Sequence, residues 1–70
     1  MSLRTRILGY LQEIQIAAKV AEIAEAIGAD QRDVQVELHQ LDDDDLVIMK
    51  NGWYLASHKG MAYPLGERGP

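Results

Sequence analysis

Apolar residues recur along this chain with two different periods. Val20, Ile23, Ala24 and Ile27 fall at i, i+3, i+4 and i+7, the spacing of one helix face. Gly28 follows directly, where helices commonly end in a left-handed residue. Asp30 can cap a further helix, and Asp33 three residues on mimics a capping box with a shorter acid. Val34, Leu38 and Leu41 then continue at i, i+4 and i+7. A small Ala24 lets the two helices approach, and Gly28 permits the sharp turn between them, so the spacing predicts a helix-turn-helix. Upstream, Leu3, Ile7, Leu11 and Ile14, with Leu8 beside them, predict a first helix over 3–14 behind a Ser2 cap. Gly9 inside it is read as a point of close helix packing. Residues 15–18 form a short connection, with Ile16 expected to point inward, in a brief extended segment. The second helix is expected over 19–27, without a good cap, and the third over 31–42, with Val36 off its apolar stripe.

After residue 45 the period changes to that of strands. Two apolar runs, 46–50 and 53–56, flank Asn51-Gly52, the strongest short-range hairpin signal because both turn residues need positive φ. A two-residue turn pairs Lys50 with Trp53, Met49 with Tyr54 and Ile48 with Leu55. Leu46, Ile48, Trp53 and Leu55 then share one face, assigned to the core, and Val47, Met49 and Tyr54 share the other. The expected core is completed by Ile7, Leu11, Ile23, Ile27, Val34, Leu38 and Leu41, with Trp53 anchoring the hairpin. The run of aspartates at 42–45 reads as a solvated turn, its last two members outside the helix, because acids at a helix C-terminus oppose the macrodipole. The chain divides into a domain at 1–57 and a flexible tail at 58–70, where Met61, Tyr63 and Leu65 form a sticky patch.

Composition narrows the function classes. Seventy residues, 47% of them hydrophobic, make one small globular domain. No apolar run approaches the roughly 20 residues of a membrane span, and the N-terminus lacks the pattern of a signal peptide. Cysteine is absent, so disulfides and thiolate metal sites are excluded, and a cytoplasmic location is the default expectation. A net charge of −4 runs against the basic surplus common in nucleic-acid binders.

Three helices followed by a hairpin resemble the winged helix-turn-helix domains of bacterial and archaeal transcription regulators. The residues carrying the resemblance are Ile7, Leu8 and Leu11; Val20, Ile23, Ala24, Ile27 and Gly28; Val34, Leu38 and Leu41; and Leu46-Val47 with Trp53-Tyr54-Leu55, together covering about residues 4–56. The resemblance implies a mainly α, α+β fold, three helices with a C-terminal two-stranded wing. Many relatives have Gly before the Leu-Val of the wing; this chain has Asp45, which is expected to take positive φ. The wing tip, Asn51-Gly52 alone, is short. Regulators of this family often bind as dimers, so a homodimer is among its implications, although no long dimerisation helix is present.

The resemblance also implies double-stranded DNA as partner, with the third helix in the major groove. That helix offers Gln31, Arg32, Gln35, Val36 and His39, of which Arg32, Gln35, Val36 and His39 form one stripe at i, i+3, i+4 and i+7. Arg can read guanine and Gln adenine, each with two hydrogen bonds. Arg4, Arg6, Lys19 and Lys50, at helix starts and on the wing, are the expected phosphate contacts, while Asp33 and Glu37 flank the stripe and repel phosphate. The competing reading is an acidic protein-interaction module, an adaptor or accessory subunit, using Val36, Met49 and Tyr54. An enzyme is not expected: no nucleophile–base pair and no phosphate-loop glycine spacing occur, and His39 and His58 are the only histidines. No cofactor and no metal site is expected.

Overall fold

A computed structural model describes residues 2–65. The order of elements is α1 (Leu3–Ile14), β1 (Ala18–Lys19), α2 (Val20–Ile27), α3 (Gln31–Asp43), β2 (Val47–Lys50), β3 (Trp53–Ala56) and α4 (His58–Met61). The protein is thus α+β and mainly helical, with a small antiparallel sheet in the order β1-β3-β2. The sheet has three strands, not the two expected. The additional one, β1, is two residues long and pairs Ala18 with Tyr54 and Lys19 with Trp53. Among the described residues no helix is long and apolar enough to cross a membrane.

Local chemistry explains where the helices start and stop. Ser2 accepts the Thr5 N–H at 3.1 Å and opens α1. Lys19 cannot cap with its side chain, so Glu22 reaches back to the Lys19 backbone N–H at 3.0 Å and opens α2 from within. Asp30 accepts from the N–H groups of Arg32 and Asp33 and opens α3. The ends of α2 and α3 close by the same pair of bonds. Ala29 N–H donates to Ala24 O at 2.9 Å and Gly28 N–H to Glu25 O at 3.3 Å, with Gly28 at φ 69°. Leu46 N–H donates to Leu41 O at 2.8 Å and Asp45 N–H to Asp42 O at 3.0 Å, with Asp45 at φ 63°. Both are Schellman closures around a left-handed residue, one with glycine and one, as expected, with aspartate.

The helices pack around Ile7, Leu8, Leu11, Ile23, Val34 and Leu38, all fully buried. Ile27 is half-buried at the edge of this core. Ile16 is 66% exposed, so the inward position expected of it is wrong. Ala18, two residues on, is the buried residue of that segment, because it lies on the inner face of the sheet opposite Tyr54. Gly9 is not a helix–helix contact either. A Cβ there would meet the Leu65 side chain at 3.6 Å, an ordinary van der Waals distance.

The hairpin has the expected register and turn, Asn51 and Gly52 lying at φ 53° and 83°. Its faces are inverted. Val47 and Tyr54 are buried, while Ile48 is 49% and Trp53 42% exposed, so Trp53 does not anchor the hairpin on the helices. Leu55 is half-buried. The cause is Leu46. It ends the Schellman closure of α3 and is buried as a helix-terminal residue, before the strand begins. Alternation restarts at Val47, so two consecutive residues point inward.

The expected tail begins in an ordered segment. Ser57 caps α4 through the Gly60 N–H at 3.0 Å, and its own N–H donates to Leu46 O at 3.0 Å. Gln12 of α1 donates to Gly60 O at 2.9 Å and to Tyr63 O at 3.1 Å. Tyr63 and Leu65 pack on the core. A Cβ on Gly60 would stand 1.9 Å from Leu46 O, so only glycine lets α4 lie this close to the entry of β2. The rest of the segment expected to be flexible, 66–70, lies outside the described residues.

Candidate nucleic-acid interface

The tight turn at Gly28 and the Asp30 cap set the direction in which α3 leaves α2. Val34, Leu38 and Leu41 face the core, which fixes the rotation of the helix. The opposite face therefore carries Gln31, Arg32, Gln35, Val36 and His39, all exposed, with Val36 at 55%. Arg32, Gln35, Val36 and His39 form one continuous stripe from the first turn onward. Its chemistry is mixed: one cation, two amides counting Gln31, an imidazole and one apolar group. Asp33 is exposed beside it.

The four flanking basic residues do not act together. Arg4 is bound within the fold: its Nε lies 3.1 Å from Glu37 Oε2 and its Nη2 2.8 Å from Asp44 Oδ2. The hydrogen bond to Glu37, then that to Asp44, hold the Arg4 guanidinium above its ordinary pKa. The pairing explains how an acid-rich C-terminus of α3 is tolerated. Arg4 pairs with the terminal Asp44 as well as with Glu37 in mid-helix, and Lys59 Nζ donates to Asp44 O at 3.1 Å, placing two cations at the negative end of the helix. Arg6 donates from Nη2 to Ile27 O, a terminal carbonyl of α2. Arg4 and Arg6, expected as phosphate contacts, are thus engaged in closing helix ends.

Lys19 and Lys50 lie on the sheet, directly opposite Trp53 from either side. Lys19 Nζ stands 5.1 Å from the centroid of the Trp53 ring, a cation–π arrangement. Of the alternative interface residues, Val36 and Met49 are exposed, but Tyr54 is 5% exposed and belongs to the core. Sequence reasoning missed Trp53 and Ile48 as surface residues, because assigning Leu46 to the strand turned them inward. Among the described residues no group of His, Asp or Glu is placed to hold a metal ion. In comparison with known proteins, the chain matches no family model, no curated protein and no solved structure.

Proposed function

We propose that the chain is a winged helix-turn-helix protein that places α3 in the major groove of duplex DNA. The observation that carries the reading is the stripe Arg32, Gln35, Val36 and His39, exposed along α3 immediately after the tight turn at Gly28. A helix fits the major groove, and the stripe holds groups suited to base edges: Arg32 for guanine, Gln35 for adenine, Val36 for a thymine methyl. Lys19 and Lys50 sit beside Trp53 on the sheet, Lys19 over its ring. With Arg4 and Arg6 engaged elsewhere, few side chains are left to neutralise phosphates.

Affinity for DNA should therefore depend only shallowly on salt, falling by roughly 0.9 log units per log unit of salt for each phosphate contact, with about one to three contacts. Anisotropy titrations of labelled random and genomic duplexes at several salt concentrations measure this. Arg32→Ala should cost about 1–3 kcal/mol and relax preference at one base position. No binding at low salt overturns the reading. A protein-interaction role would then take its place, favoured by the intramolecular pairing of Arg4 and by exposed Val36 and Met49.

A further inference from the structure

The outer face of the sheet points to a second binding surface, and we propose that it receives an extended acidic–apolar segment of a partner polypeptide. By register, Lys19, Lys50, Trp53, Ile48 and Leu55 share this face. None of the chain's 11 acidic residues falls within the strands. Glu22, the nearest acid in sequence to Lys19, is turned onto the Lys19 backbone N–H. Among the described residues neither lysine ammonium lies within ion-pair distance of a carboxylate. A chain of net charge −4 thus carries, among the described residues, a sheet face with two lysines and no acid on its strands, with a half-exposed tryptophan at its centre.

Three features select the occupant. Trp53 and Ile48 are exposed apolar groups, and tryptophan is a residue favoured at protein-binding hot spots. A depression of about 240 Å³ lined by Leu11, Gln15, Leu55, Ala56 and Met61 opens past the part of β3 that β1 pairs, and its mostly apolar lining suits an apolar side chain. Among the described residues the outer edge of β2 has no neighbouring strand, so its N–H and C=O groups can pair with added backbone. In an extended segment every second side chain faces the sheet, so the facing positions must carry both the apolar groups for Trp53 and Ile48 and the carboxylates for the flanking lysines. A nucleic acid fits less well: Lys19 already lies over the Trp53 ring on which a base would stack, and two lysines neutralise few phosphates. A second copy fits less well too. The chain's own acid run, at 42–45, is four consecutive aspartates at the end of α3 with no interleaved apolar groups, and its Asp44 is paired with Arg4.

Trp53 is the only tryptophan, so its emission reports on this face alone. The test titrates the full chain with a blocked octapeptide in which every second residue is in turn Leu, Glu, Leu and Glu and the intervening residues are Ser or Thr. The same peptide with lysines for its acids and an oligothymidylate serve as controls. The expected result is a saturable shift of emission to shorter wavelength with the acidic peptide alone, weakening as salt rises. Lys19→Gln with Lys50→Gln should lower the affinity about tenfold, with an unchanged far-ultraviolet circular dichroism spectrum. The salt dependence of the unmodified chain tests the charge argument without any variant. No response to the acidic peptide, an equal response to the lysine peptide, or a response to the oligonucleotide alone each overturns the proposal. So does an emission shift on simple dilution, which would show that a second copy covers the face. Labelled-duplex titrations read α3 and are independent of this emission, so the DNA reading can fail while this one stands.

Discussion

The two faces of the β2–β3 hairpin are both apolar and meet opposite environments. On the inner face Val47 and Tyr54 are closed into the core, joined by Ala18 from β1. On the outer face Ile48 and Trp53 remain about half exposed, and the flanking groups are lysines. Hydrophobicity alone would favour the larger tryptophan inside. What decides is the chain's entry into β2. The left-handed Asp45 and the Leu46 N–H bond to Leu41 bring the backbone out of α3 with Leu46 already buried, and Val47 must then follow inward. A turn upstream sets which face of a strand is buried, and side-chain preference then works within that choice.

The contrast can be broken at four positions. Tyr54→Ala should cost about 4 kcal/mol, because it empties the inner face between Ala18 and Val47. In a domain this small the loss would unfold much of the population, visible in a urea titration. Gly60→Ala should cost about 3 kcal/mol, since the added methyl collides with the Leu46 carbonyl, which is backbone and cannot step aside. Its thermal midpoint would fall well below the parent's; a midpoint within a degree would mean that α4 does not hold the entry to β2. Trp53→Ala should cost only about 1 kcal/mol, part of it the contact with Lys19. If it destabilises as much as Tyr54→Ala, the two faces are not as different as their exposure implies. Asp45→Gly should raise stability by about 0.5 kcal/mol by relieving positive φ. A loss instead would show that the aspartate side chain contributes more than its backbone strain removes.

The first three helices were legible because their apolar residues repeat over two or more turns and their caps are local. Ser2, Gly28 and Asp30 act within a few residues of themselves. Asn51-Gly52 was legible for the same reason. Strand β1 was not, since two residues cannot display a period of two; only its partner, Tyr54, identifies Ala18–Lys19 as a strand. Helix α4 was hidden by Gly60, a poor helix former that is required by a contact with Leu46, fourteen positions earlier. At the candidate interface the stripe on α3 followed from helical spacing once its buried side was known. The engagement of Arg4 and Arg6 did not, because their partners Glu37, Asp44 and Ile27 are remote in sequence and no local pattern names them.

Gln12 ties α1 to residues 48 and 51 positions further along, at Gly60 and Tyr63. Such separations are long for a chain of 70 residues, and they bear on the order of assembly. The α2–α3 hairpin needs only neighbouring residues and can form early. The seam between α1 and α4 must wait until residues 60–63 are available, and closing the larger loop carries the larger entropic cost. During synthesis, Gln12 would emerge from the ribosome long before its acceptors. Until Tyr63 follows, the Leu11 side of α1 stays uncovered, and a stalled or truncated product would present it to chaperones and proteases.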